Sequence, residues 1–412
     1  MVLKKHHPEG YALNYVLTIY AYMKVLFCHD GPFTRYNGKY YTTSFTDEVL
    51  SRYFKLGTDL SVVIRVKDVS DESRIQGNSE ITIPVNIIPV PEIKTLKGII
   101  KNSNKANRII KEAVSNADLI IGRMPATIAR IAIEEAFKQG KPCLVEVVGH
   151  PFEILWHHSL KGKLLAYMES CIAKRLIKKA PYVLYVTKEY LQKDYPTSGL
   201  NVGIADSELK TFDDSVLVER LDKIKQGSDK LKLCTIGAVN VIYKGQEFVI
   251  RALSILKAKG IDKFEYYVVG GGDNSRLKTI AEECGVLDNV KFVGSVPHAN
   301  IFSLLQDVDI YMQPSMTEGL PRSVIEAISM AVPCIGSNAG GIPELIDKEY
   351  IFDKNKNQSI QIAAILEHFT EEKLLEQAQV NFKRSKEYDT LKLNKIRDDF
   401  YLKIYEEVMG KR

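Results

Sequence analysis

The window 313–327 holds the side chains best suited to chemistry. It reads Gln-Pro-Ser-Met-Thr-Glu-Gly-Leu-Pro-Arg-Ser-Val-Ile-Glu-Ala. A strand over Ile310–Gln313 ends at Pro314, and a tight loop follows with Glu318 and Gly319. Pro321 fits a first helical position, where its missing N–H costs nothing. Glu326 then falls in the second turn. One carboxylate is on a loop and the other on a helix, both near the C-terminal edge of a parallel sheet, where α/β proteins bind ligands. Carboxylates there accept hydrogen bonds from the vicinal hydroxyls of a sugar. The open helix N-terminus offers N–H groups and a positive dipole end to phosphate oxygens. The next strand ends in Ser-Asn-Ala-Gly-Gly-Ile-Pro-Glu over 337–344. Gly340 and Gly341 let backbone N–H groups approach a pyrophosphate without side-chain obstruction. Pro343 is read as the start of a second helix, so two anion-binding ends would face one crevice.

The elements that must position these residues alternate strand and helix along the chain, which argues α/β with parallel sheets. A first unit opens with the strand Val25–Cys28 and a loop from His29 to Tyr41. A helix is expected over Phe45–Leu56. Strands follow at Leu60–Val66, Val85–Pro89, Asp118–Gly122, Cys143–Val148 and Tyr182–Val186, with helices at Leu96–Asn116, Ala126–Gln139 and Leu160–Lys179. Residues 195–230, with Pro196, Gly199, Asn201, Gly203 and then a charged run, read as a boundary. A second unit begins at Leu231–Gly237 and proceeds in short βα steps, as right-handed crossovers require. The expected division is 23–205, 206–385 and a C-terminal helix within 386–412. Residues 1–22 carry Lys4, Lys5, His6 and His7 before an apolar stretch. They loosely resemble a leader without a small-residue cleavage site. They are read as an upstream extension, with Met23 as the natural start.

From Gly237 to Ile346 the chain resembles the retaining glycosyltransferases of family four, the glycosyl transferases group 1. Their signature is a Glu, seven residues and a second Glu, after a Pro-Ser strand end and before a Gly-Gly-x-Pro-Glu loop. Glu318 and Glu326 match that spacing. The resemblance covers residues 23–405, more loosely in the first half. It implies the GT-B fold, two Rossmann-like domains facing across a cleft, with a nucleoside diphosphate sugar as donor, a hydroxyl acceptor and no cofactor. It also implies that Glu326 binds the ribose and Glu318 the transferred sugar. Gly319, Leu320, Gly340 and Gly341 would supply backbone N–H groups. Lys244, in Tyr-Lys-Gly-Gln over 243–246, matches the family's phosphate-binding lysine and would neutralise charge on the leaving diphosphate. The family's Arg after the glycine at 237 is replaced by Ala238. Arg322, opening the donor-side helix, is a candidate second cation. Val296 would lie near the base.

In the first half, His150 follows a strand end beside Gly149, where it could reach the transferred sugar or the acceptor. A structural histidine fits those residues equally well. His157 and His158 lack a third ligand at metal spacing. Gly31 and Gly38, in the loop after the first strand, are candidates for the acceptor side. Asp307-Val308-Asp309 could chelate a divalent metal, but it sits at a helix–strand junction where Asp is common. No metal is expected.

Composition narrows the remaining choices. Of the 412 residues, 45% are apolar and 26% charged, the balance of a globular protein that can bury two cores. No apolar run is long enough to cross a bilayer. Six dispersed cysteines form neither a zinc nor a dithiol motif, and they point to a reducing, cytoplasmic setting. Residues 1–200 hold 28 basic and 19 acidic residues, against 28 and 32 in the rest. The basic half, and the lysine-rich amphipathic helix Leu160–Lys179 in it, suggest peripheral contact with an anionic membrane face and a lipid-linked or polysaccharide acceptor. The alternative is an ordinary sheet-covering helix. Nucleic acid is not expected as a partner, since no basic patch interleaves aromatics. Two other activities share the donor site: a sugar-nucleotide epimerase, which would need no acceptor, and a catalytically silent nucleotide-sugar-binding scaffold.

Overall fold

A computed structural model describes residues 22–156, 160–207, 209 and 213–411. Residues 1–21 of the expected extension over 1–22, and the pair His157 and His158, lie outside the described residues.

Runs such as Leu119–Met124 and Cys143–Val147 are buried at nearly every position, the mark of strands covered on both faces. They belong to the first sheet, built from β1 (Lys24–Cys28), β2 (Phe33–Tyr36), β3 (Lys39–Thr42), β4 (Asp59–Asp68), β5 (Ser79–Glu80), β6 (Val85–Val90), β7 (Leu119–Met124), β8 (Cys143–Val147), β9 (Tyr182–Tyr185) and β10 (Leu200–Gly203). The parallel order is β10-β9-β8-β7-β1-β4-β6. Strand β4 outgrows its neighbours. Its residues 60–65 pair with β6, and Val66–Asp68 pair with β2, which continues into β3 and β5. The second sheet is parallel throughout. It contains β11 (Leu231–Ile236), β12 (Phe264–Val269), β13 (Val290–Gly294), β14 (Ile310–Gln313), β15 (Cys334–Ser337) and β16 (Ile351–Phe352), in the order β13-β12-β11-β14-β15-β16. Helices on both faces of each sheet give two Rossmann-like halves.

Several expected boundaries change. The stretch His29–Tyr41 is a hairpin rather than a loop, with Asn37 and Gly38 at φ of 47° and 77° making its turn. The expected helix Phe45–Leu56 shortens to Asp47–Ser51 followed by a 3-10 turn, Arg52–Lys55. The boundary region 195–230 contains β10 and the helix Ser215–Gln226.

The C-terminal helix Thr390–Gly410 lies on the first half. Lys55 pairs with Asp398, Tyr182 donates to Glu407 at 3.0 Å, and Tyr401 donates to Glu146 at 3.4 Å. One apolar cluster is confined to the first half. Another runs from Phe27 and Tyr53 through Leu209 and Tyr401 into the second sheet. The two halves therefore share buried surface.

Candidate active site

The C-terminal edge of β14 builds the site. Gln313 is buried, and its side-chain Oε1 accepts from the hydroxyls of Tyr311 (3.0 Å) and Ser323 (3.3 Å). Those bonds turn its amide nitrogen toward Ser315 Oγ and Glu318 Oε1, each at 3.0 Å. Lys244 Nζ reaches the same Glu318 oxygen at 2.6 Å. Glu318 is thus held by a neutral and a charged donor, with only 13% of its side chain exposed. Charge-assisted bonds of this kind are the strong ones. Lys244 closes a 3-10 turn, and Gly245 then caps the helix Gln246–Ala258. The Met316 N–H donates to Tyr243 at 2.7 Å, which seats that helix start against the Glu318 loop.

Anion-binding helix ends differ from the sequence expectation. Pro321 caps the helix Arg322–Ser329 rather than starting it. Pro343 lies in a three-residue 3-10 turn, Ile342–Glu344, and not in an α-helix, so it brings little dipole. The helix start beside Lys244 is the second α-helical N-terminus here.

Two loops sit back to back. Gly340 has φ of 57°, and a Cβ there would fall 2.2 Å from the Glu318 carbonyl oxygen, so only glycine fits. The Gly341 N–H donates to the Gly319 carbonyl at 2.6 Å. That N–H is therefore committed to the protein, which corrects the expectation that it faces phosphate. Leu320 packs on the apolar clusters of both halves.

Glu326 is met by a residue the sequence did not flag. His298 Nε2 lies 3.0 Å from its Oε1, on a ring that is 76% exposed. Val296 stands two residues before His298, partly buried at the edge of the core.

Other candidates are placed differently. The Arg322 guanidinium turns to Asp206 at 3.3 Å, away from a role as second phosphate cation. Asp206 also takes Arg52 at 3.3 Å and Arg123, and Arg123 pairs with buried Glu146 at 3.0 Å. Burial alone would raise the Asp206 carboxyl. The three guanidiniums, Arg123 first, outweigh it and hold the group below the usual carboxylate range. His150 is buried with both ring nitrogens engaged. Its Nδ1 accepts the Glu153 N–H at 3.3 Å, so Nε2 carries the proton and donates to Asp194 at 2.8 Å. This corrects the expectation of a ring open to substrate: His150 is a fastening point. Gly31 lies in the connection between β1 and β2, where its N–H donates to His29 Nδ1 and its carbonyl accepts from Arg65. Gly38 makes the hairpin turn, with φ of 77° and open space around it. Asp309 accepts from the Lys232 N–H and Lys223 at the N-terminal end of β14, opposite the Glu318 edge. Among the described residues no three His, Cys, Asp or Glu side chains are grouped to hold a metal.

Residues 219–385 match the family described as glycosyl transferases group 1. The chain is 31% identical over 394 residues to protein CapJ of Staphylococcus aureus, covering 92% of this chain and 98% of CapJ. It is 39% identical over 111 residues to the amylovoran biosynthesis glycosyltransferase AmsK of Erwinia amylovora, covering 25% of this chain and 27% of AmsK. Among solved structures, HepE of Anabaena in complex with UDP superposes with a TM-score of 0.60 at 17% identity, over 94% of this chain and all of HepE. That likeness shows a shared two-domain fold.

Proposed function

The chain belongs to the glycosyl transferases group 1, GT-B enzymes, and we propose that it moves a sugar from a nucleoside diphosphate sugar to a hydroxyl acceptor with retention of configuration. One observation carries the donor assignment. Lys244, Glu318 and the Gly340–Gly341 loop converge at one sheet edge, with Glu326 on the adjoining helix. In this reading Glu326 holds the ribose hydroxyls and His298 yields its place to them. The Lys244 ammonium leaves Glu318 for the diphosphate and offsets charge on the leaving group. Glu318, released from Lys244 but still oriented by Gln313, takes hydroxyls of the transferred sugar. The chain then contributes orientation and electrostatics.

We extend the reading to a polysaccharide or lipid-linked acceptor used at the inner face of a membrane. The AmsK likeness and the surface of the first half support it. No helix among the described residues is long and apolar enough to cross a membrane. Two helices of the first half, Leu96–Asn116 and Leu160–Lys179, expose Ile99, Ile100, Leu165, Tyr167 and Met168 among lysines.

The donor reading is tested by thermal shift with UDP, GDP, ADP and CMP and their common sugar conjugates. One nucleotide should stabilise the wild type selectively. Glu326→Ala should weaken that binding about tenfold or more, the loss of a hydrogen bond to a charged group. Equal affinity in the variant removes the ribose role, and no response to any nucleotide removes the donor site.

A further inference from the structure

We propose that Glu344 is the latch that closes the two halves over the donor loop, a positioning residue that makes domain closure and donor-loop geometry one event. Glu344 ends the turn that follows Gly340 and Gly341. Its carboxylate crosses to the first half and accepts three successive backbone N–H groups. Lys188 donates at 2.7 Å, Glu189 at 3.1 Å and Tyr190 at 2.8 Å. These residues open the one-turn helix Tyr190–Asp194, whose N-cap residue, Glu189, provides no side-chain cap. Within the first half Thr187 Oγ1 accepts the next N–H, that of Leu191, at 3.0 Å, and the second half takes the three before it.

The contact is one link of a closed circuit. The turn ends at Asp194, which holds His150 at 2.8 Å. Val148 and Gly149, just before His150, press on the Glu318 loop. A Cβ on Gly319 would come within 2.4 Å of the Val148 carbonyl oxygen. The Gly319 carbonyl then takes the Gly341 N–H at 2.6 Å, three residues before Glu344. A second tie runs alongside. Lys354 pairs with Glu153 at 2.6 Å across the same boundary, both side chains about 15% exposed, and also donates to the Met316 carbonyl at 3.2 Å. The carboxylate of Glu344 therefore fixes the first-half wall, and that wall bears on the loop that carries Glu318. His150 gains a purpose here that its buried ring nitrogens denied it at the substrate: it transmits the position of the Tyr190–Asp194 turn to Val148.

The effect on turnover rests on the donor-site reading, whereas the effect on closure does not. Closure is measured on the full chain by small-angle X-ray scattering and by emission of the single tryptophan. Trp156 lies on the helix that carries Glu153, stacked on Phe152. Wild type, Glu344→Ala and Glu344→Gln are compared without nucleotide and with saturating UDP. Glu344→Ala should show a larger radius of gyration and a red-shifted Trp156 emission. Glu344→Gln, which keeps one acceptor, should fall between. Far-UV circular dichroism should be unchanged, since Glu344 is half-buried at the boundary. UDP affinity should stay within about threefold, while turnover falls about tenfold or more through misplacement of the Glu318 loop. Scattering and emission of Glu344→Ala that superimpose on wild type in both conditions overturn the latch. Failure of the wild type to bind UDP counts against the uridine donor alone, and the nucleotide-free comparison still decides the latch.

Discussion

Glu318 and Lys244 are 74 residues apart in sequence and share a hydrogen bond. Their types could be read as sugar and phosphate ligands, but nothing in a one-dimensional pattern says that they neutralise each other. Glu318→Ala should lower transfer by on the order of 100-fold and shift nucleotide affinity less than about tenfold. Steady-state kinetics beside calorimetry separates the two, and equal losses would place Glu318 on the nucleotide. His150 marks the limit of sequence reading at this scale. Its place at a strand end was legible, but its burial against Asp194 depends on a turn forty residues away. His29 was not singled out at all. Burial first, then the charge of Arg123, lowers its imidazole to about 4. An unfolded histidine titrates near ~6.5, so below that pH the unfolded chain binds the extra proton. Stability from this group is full above about 6.5 and declines toward pH 4. His29→Gln should flatten that decline by up to about 3 kcal/mol, read from denaturant unfolding across this range. An unaltered pH slope would contradict the assignment.

Elements with strong period were placed well. Leu96–Asn116, Leu160–Lys179 and Ile310–Gln313 occur with the bounds expected from their patterns. Those that failed lacked a local signal. The hairpin over 33–42 is polar and aromatic, and its Asn-Gly turn was the one available cue. Strand β10 is short and half-exposed, an edge whose existence depends on β9 beside it. The helix Ser215–Gln226 reads as a charged run because its apolar residues Val216, Leu217, Leu221 and Ile224 are only partly buried and its one buried side chain is an arginine. Arg220 is buried and donates to the carbonyls of Leu305 and Met330. The same scale governs the membrane reading. Lys101, Lys105, Lys174 and Lys178 are exposed, and Ile100 and Tyr167 are 80% and 63% exposed beside them. Vesicles containing phosphatidylglycerol should sediment the protein, and neutral phosphatidylcholine vesicles should not. Ile100→Asp with Tyr167→Asp should abolish the effect. Equal recovery on both lipids would assign these helices to sheet covering alone.

At the scale of the whole molecule, the two-domain architecture was legible because alternation of strand and helix restarts after a break. The joint between the halves was not, since it is made of residues from five separate segments. Arg52, Arg123, Glu146, Asp206 and Arg322 form one charged node, with Tyr53 and Tyr401 donating to Glu146. Removing one partner strands buried charge, which costs far more than the pair contributes net. Asp206→Ala should lose about 3 kcal/mol, measured as a fall in the thermal midpoint. Asp206→Asn should lose less, because the amide oxygen still accepts from Arg123. Matching midpoints for wild type and Asp206→Ala would reduce the node to a surface ion cluster.

The chain passes from the first half to the second near Leu209 and returns near Asp389, and the two passages run side by side. Leu209 and Asp389 form a parallel bridge, and the Leu209 carbonyl accepts both the N–H and the hydroxyl of Thr390. Two adjacent covalent crossings behave like two pins set on one axle. They tether the halves covalently at one place and leave the rest of the boundary to non-covalent contacts. Any opening of the halves therefore pivots near Leu209 and Asp389, and the distance of the donor loop from that point sets how far the loop travels.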